Sequence, residues 1–481
     1  MTSLLVPGST CLVNAQSARS RLLIDARDYY LAFYAEAARA ERSILLAGWQ
    51  FDSQVELLRG RDALGSQDPV HFLPFLEALS KQNPKLQIYI LAWDYSAVFA
   101  MEREWLQRAL FAWTTPQNLH FRFDGRHPLG ASHHQKFAVI DGDRAFVGGI
   151  DLASARWDDR EHRLHNPLRS EHGEPQKPYH DVMGFVSGQA ARKLEDLFAE
   201  RWQAATGEAL ELGPAPDALR EPSFEQGLPI DATEVGISRT ECGPGEGQTC
   251  TEIATLYEAA IARAERLIYV ETQYFTATAI LEALTARLSD RERPRLEVVI
   301  VMPNAADSEK ERLVLGAAQD RLLAALQTRA RETSSLVRIY STLAFDDAGG
   351  ETATFIHSKL LIVDDRLLCV GSANLTNRSL LLDTELCLSW EDANEAGPTA
   401  RSIANVRAEL LAEHAGVAPD REFFRSDGLV ERLDALVDAG KARLFARPLT
   451  QADSAPALHL ERVFDPEKPL DQLELEELVS P

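Results

Sequence analysis

His134-Gln135-Lys136, with Asp141 five residues after the lysine, recurs as His357-Ser358-Lys359 with Asp364 at the same distance. A glycine turn follows each copy, Gly148-Gly149-Ile150-Asp151 and Gly371-Ser372-Ala373-Asn374, and every matched pair lies 223 residues apart. One such match would be a weak signal; two at a constant offset mark a duplicated unit, so the chain is expected to fold as two similar halves. Side chains on an extended strand alternate with period two. A His and a Lys two apart therefore aim an imidazole and an ammonium at one spot.

That pair suits an anionic phosphorus centre. Lys brings three donors, a positive charge and no lone pair, whereas a metal site on strands would need further His, Cys or carboxylate ligands. No metal and no cofactor is expected for the chemistry. If the halves pack about a pseudo-twofold axis, His134 and His357 face each other across one site. One neutral His would attack phosphorus and form a covalent intermediate, while the other, protonated, would hand its proton to the leaving alcohol. Lys136 and Lys359 would hold the phosphate oxygens, with Asn374 adding neutral donors. Each imidazole also needs its second nitrogen fixed, and Asp181 and Glu385, on the strands after the motifs, are the candidates. Asp141 and Asp364 lie an odd number of positions from the histidines and so read as turn and scaffold residues, along with Gly148, Gly149, Gly371 and Ser372. His133 faces away from His134 and reads as packed. Trp157, in a polar loop, and Asp151 are the expected substrate contacts, while Trp49 and Trp93 read as core.

A chain of 481 residues is too long for one core. The runs Ser43–Asp52 and Arg266–Phe275 both read as buried strands after an Ala-rich helix, and Gln50 and Gln273 are again 223 apart. Each half reads helix, strand, helix, strand and then the motif strand. The fold expected is α/β: two duplicated halves with mixed central sheets flanked by helices, sharing one active site. A first half over 1–230, a second over 231–416 and an acidic surface appendage over 417–481 follow, with a Pro- and Gly-rich linker from about Thr206 to Thr249. Aligning Asp181 with Glu385 gives an offset of 204, so the first half carries 19 extra residues, beginning near Arg156. A polar insertion beside a motif reads as a lid or substrate-reading loop.

The net charge of −23 argues against nucleic acid as partner and favours a small zwitterionic or neutral-headgroup substrate. Five scattered cysteines argue against a disulfide framework or a zinc site. No signal peptide or transmembrane segment is expected, which makes a soluble cytoplasmic enzyme the default, with peripheral membrane association and export by a leaderless route as alternatives. Internal duplication makes a catalytic dimer unnecessary, so it is expected to function as a monomer.

The doubled His-x-Lys-x4-Asp pattern with its glycine turns resembles the phospholipase D superfamily. The flanks Arg156-Trp157-Asp158-Asp159, Glu161-His162-Arg163-Leu164, Tyr179-His180-Asp181, Tyr269–Phe275 and Arg378-Ser379 resemble the eukaryote-type, phosphatidylcholine-hydrolysing branch. The likeness runs from roughly Arg21 to Gly416. It implies a phosphohistidine intermediate, with His134 as nucleophile and His357 as acid. It also implies a phospholipid substrate at a membrane surface, cleaved to phosphatidic acid and a headgroup alcohol, with transfer to added primary alcohols. Alternatives are a cardiolipin-synthase-like transferase, a nuclease and an inert lipid-phosphate-binding protein. Compared with larger family members, the chain is expected to lack a separate amino-terminal lipid-binding domain.

Overall fold

The computed structural model describes residues 2–94, 116–171, 173–214, 220–243, 249–305, 315–346, 348–419, 421–440, 442–449 and 464–469. Two mixed sheets dominate. The first runs, edge to edge, through Leu228–Pro229, Ser20–Ile24, Val182–Ser187, Arg144–Gly148, Phe137–Ile140, Ser43–Gly48, Gln87–Trp93 and Leu119–Asp124. The second repeats this order with Glu234–Cys242, Glu385–Glu391, Leu367–Gly371, Leu360–Val363, Leu267–Glu271, Glu297–Val301 and Leu336–Phe345. In both, the last three strands are parallel and the rest antiparallel. The inner parallel strands, Ser43–Gly48, Gln87–Trp93, Leu267–Glu271 and Glu297–Val301, are near-continuous buried apolar runs, as strands covered on both faces must be, while the outer ones, Leu119–Asp124 and Leu336–Phe345, carry polar residues.

The inner faces of the two sheets share one core. Val147, Val186 and Phe198 of the first half pack in it with Val370, Leu388 and Trp390 of the second. Two helices, Gln189–Thr206 and Pro398–Ala415, contribute to this core, each following the strand that comes after a motif. The outer faces are covered separately, the first by Asp25–Ala37 and Phe72–Gln82, the second by Glu252–Arg263, Thr278–Ser289 and Ala317–Glu332. The architecture is thus two α/β halves closed face to face. Among the described residues, no helix is long and apolar enough to cross a membrane.

Chain order and sheet order part company in three places. Val13–Gln16 belongs to the second sheet, antiparallel to Glu234–Cys242, although its position assigns it to 1–230. Glu234–Cys242, inside the stretch read as linker, is itself a largely buried strand of that sheet. The appendage is not confined to the surface. Leu444–Ala446 pairs with Leu336–Phe345, Leu429 and Val430 are buried, and the Asp465 carboxylate accepts hydrogen bonds from Thr276, Asn377 and Arg378. Sequence cues of charge and helicity hid these contacts, because covering a sheet edge takes only a few residues. The acidic run Leu473–Leu478 lies outside the described residues.

Beyond the two helix–strand pairs expected, each half adds a further parallel strand before its motif, Leu119–Asp124 or Leu336–Phe345. The His-x-Lys triplets precede the strands Phe137–Ile140 and Leu360–Val363 rather than lying on them.

Candidate active site

Two short parallel bridges set the site. His133 pairs with Thr384, and Tyr179–His180 pairs with Phe355–Ile356. Through them the His134 amide donates to the Thr384 carbonyl (2.9 Å) and the His357 amide to the His180 carbonyl (2.8 Å). Each motif histidine is therefore laid beside the carboxylate that follows in the other half. His134 Nδ1 lies 3.0 Å from Glu385 Oε1 and His357 Nδ1 lies 2.6 Å from Asp181 Oδ2. With Nδ1–H given to a carboxylate, Nε2 of each ring is left as the reactive atom. Sequence reasoning named both acids but left their pairing open; the structure crosses them.

The glycine turns make this approach possible. A Cβ on Gly149 would stand 2.2 Å from Asp181 Oδ1, one on Gly148 2.4 Å from the Val182 carbonyl, and one on Gly371 2.3 Å from the Leu386 carbonyl. The position matching Gly149 is Ser372, whose hydroxyl donates to Glu385 Oε2 (2.5 Å). Glu385 is thus held by a side chain, whereas Asp181 Oδ1 accepts from the Val182 amide (2.8 Å). Asp141 and Asp364 sit at the turns after the motif strands with φ of 53° and 54°. Asp141 accepts from the amides of Glu41, Arg42 and Ser43, and Asp364 from those of Glu265, Arg266 and Leu267. These carboxylates fasten the starts of Ser43–Gly48 and Leu267–Glu271.

Both lysines are buried and curl back onto the carbonyl of their own motif histidine, Lys136 at 3.0 Å. Lys136 also lies 3.5 Å from Asp151 and Lys359 lies 3.4 Å from Gln273 Oε1, so each ammonium keeps a third N–H for a ligand. Asn374 is buried and its amide oxygen has no hydrogen-bond partner. Leaving such an acceptor unpaired costs about 1–3 kcal/mol, which only a ligand group that donates a hydrogen bond would offset.

Burial sets the protonation states. It holds His357 well below the usual imidazole value, with the charges of Lys359, Arg156, Lys136 and His134 adding to the effect. His134 is also lowered by burial, though Glu385 pulls the other way. Burial drives Lys359 down to about 7 against the pull of Asp181, and pushes Asp181 up to about 6 against the pull of Lys359. A cation-rich, water-poor pocket of this kind favours an incoming anion.

The expected substrate contacts need correction. Trp157 is 1% exposed, packed in the outer core of the first half with the Arg59 guanidinium 4.9 Å from its ring. Asp151 is likewise buried, its carboxylate accepting from the Trp49 amide and facing Lys136. The tryptophan at the site is Trp49, half-buried, edge-on to His134 at 5.1 Å and 5.7 Å from the Lys136 ammonium. Arg156 was also missed as a site residue. It donates to the Tyr179 hydroxyl (2.8 Å), and the Tyr179 ring lies 5.4 Å from that of His357. An arginine opening the 19-residue insertion was the available signal. The rest of that insertion is not a free lid: Asp158, His162 and Arg169 are buried in ion pairs, and Arg160 reaches Glu409 and Glu413 of the second half.

Known proteins match both halves. Residues 37–225 fit the family described as phospholipase D, and residues 257–406 that described as cardiolipin synthase, phospholipase D-like domain. Phospholipase D A of Dictyostelium discoideum is 26% identical over 83% of this chain and 36% of its own length. Phospholipase D1 of Saccharomyces cerevisiae is 23% identical over 83% of this chain and 29% of its own, and phospholipase D alpha 4 of Arabidopsis thaliana 23% over 82% and 64%. The chain therefore spans less than two thirds of the length of these relatives. The phosphatidylserine synthase of Haemophilus influenzae Rd KW20 shares the fold, with a TM-score of 0.54 at 14% identity, covering 89% of this chain and 94% of the other.

Proposed function

We propose, for a chain that belongs to the phospholipase D superfamily and carries two of its domains, a phosphodiesterase or phosphatidyltransferase that works as a phospholipase D. Its substrate is a glycerophospholipid of the choline or ethanolamine type, cleaved at the distal phosphodiester to phosphatidic acid and a headgroup alcohol. The observation that carries this reading is the pair of crossed His–carboxylate couples with two buried lysines converging on one space.

In the proposed cycle, His134 Nε2 attacks phosphorus while the Glu385 carboxylate accepts the hydrogen bond from Nδ1–H and stabilises the positive charge that forms on the ring. His357 Nε2 delivers a proton to the departing alcohol, and water or a primary alcohol then takes the phosphatidyl group with His357 as base. Lys136, Lys359 and Arg156 neutralise the phosphoryl oxygens, and Trp49 offers its ring to a quaternary ammonium headgroup. Mass spectrometry of products from mixed phospholipid vesicles with added ethanol tests this. Headgroup release and phosphatidylethanol are expected; neither product from folded protein would reject it. Cleavage of DNA with lipids untouched would favour a nuclease instead.

The pH dependence follows from the histidines. Activity rises with pH as the nucleophile loses its proton and falls as the acid loses its own. In the free protein both histidines lie below 6.5, and Lys359, at about 7, loses charge above neutrality. The bell for kcat/KM, which reports free enzyme, therefore centres on the acid side of 6.5. A bound phosphodiester anion stabilises both protonated forms, so the bell for kcat moves to higher pH. Steady-state profiles of both constants check this, and a kcat bell at lower pH than that of kcat/KM contradicts it.

A further inference from the structure

Behind His357 lies a second cluster that the catalytic cycle does not use. Asp25 opens the helix Asp25–Ala37, His162 comes from the insertion, His180 from the strand beside Ile356, and Glu413 from the helix Pro398–Ala415 of the second half. All four are buried, and one ligand atom from each falls within 4.8 Å of the others. His162 Nε2 lies 3.2 Å from Glu413 Oε1 and 3.4 Å from Asp25 Oδ2, while His180 Nδ1 lies 2.9 Å from Glu413 Oε1 and 3.3 Å from Asp25 Oδ1. Ligands about 2.0–2.1 Å from a tetrahedral zinc ion are spaced roughly 3.3 Å apart along the edges of the tetrahedron.

Three further features separate this cluster from ordinary ion pairing. Asp25 Oδ2, in a side chain 1% exposed, has no hydrogen-bond partner and faces His162. The far nitrogen of each imidazole is held by another carboxylate, His162 Nδ1 by Asp158 (3.0 Å) and His180 Nε2 by Glu271 (3.0 Å). That is the outer support that metal-bound histidines almost always have. Finally, four carboxylates, those of Asp25, Asp158, Glu271 and Glu413, face two guanidiniums, Arg160 on Glu413 and Arg169 on Asp158. With the imidazoles of His162, His180 and His414, which pack on these carboxylates, in their neutral forms, two negative charges remain in the interior, the charge of one divalent cation.

We propose that Asp25, His162, His180 and Glu413 bind one divalent transition-metal ion of the zinc class in a closed, structural site. The ion ties the insertion and first helix of one half to the last helix of the other. It stands apart from phosphoryl transfer, which has its own cations. It also fixes His180, whose neighbour Asp181 orients His357.

The test uses the full chain. Elemental analysis of protein purified without chelator, after exhaustive dialysis, is expected to give about one zinc per chain. Protein stripped with a strong chelator should melt at a lower temperature and recover on zinc addition. Cobalt(II) in place of zinc should give the visible absorption of a tetrahedral site. Glu413→Gln and His162→Asn should lose the metal, and His134→Asn should keep it. Should both cluster variants fail to fold, the cobalt spectrum of the unaltered protein decides alone. Folded, active protein that holds no zinc, takes up none and gives no tetrahedral cobalt spectrum would overturn the proposal. It would leave His162 and His180 as two imidazolium cations balancing the same carboxylates.

Discussion

His134→Asn will lower kcat by on the order of 10⁴-fold or more, since it removes the atom expected to bond to phosphorus. His357→Asn will be comparably slow on a natural phospholipid, where the departing alkoxide needs a proton. The two variants separate on a p-nitrophenyl phosphodiester, whose leaving group departs unprotonated. His357→Asn should recover much of its first step there and accumulate a phosphorylated protein that mass spectrometry locates on His134, whereas His134→Asn should recover nothing. Near-native turnover by both variants would reject the paired-histidine mechanism. Phosphate found on His357 in a His134 variant would reverse the two roles.

The crossed carboxylates give the second large effect. Glu385→Gln and Asp181→Asn keep the shape of each couple but lose the charge that holds the Nδ1 proton, and a loss of this kind costs on the order of 10²–10⁴-fold in kcat. Which variant resembles which is informative. Because Glu385 reaches His134 and Asp181 reaches His357, Asp181→Asn should be rescued by the p-nitrophenyl substrate and Glu385→Gln should not. The opposite pattern would mean that each acid serves the histidine of its own half.

The duplicated α/β plan could be read from the sequence because it rests on local signals that repeat: apolar runs, Ala-rich helices and a motif rich in chemistry. The pairing of acids with histidines could not, since it depends on the bridges His133–Thr384 and Tyr179–His180 with Phe355–Ile356, and a bridge between distant segments leaves no periodicity. Trp157 misled because its neighbours Arg156, Asp158 and Asp159 suggest a wet loop, whereas Asp158 turns inward to Arg169 and His162. Trp49 was discounted for the opposite reason: it ends an apolar run, yet it lies just past the strand Ser43–Gly48, at the carboxyl edge where α/β sheets receive ligands. The insertion looked like a surface lid because its ion-pair partners Glu409 and Glu413 lie some 250 positions away.

An interface in which residue 134 of one half meets 385 of the other, while 357 meets 181, has the reciprocity of a twofold homodimer written into one polypeptide. A true homodimer must change both copies of a position at once. Here each copy is encoded separately, and the two settings have already diverged, with Ser372 on Glu385 in one and bare Gly149 against Asp181 in the other. Nucleophile and acid can therefore be tuned independently by mutation. Neither half expressed alone would contain a complete histidine couple, but the two halves mixed as separate chains could rebuild both.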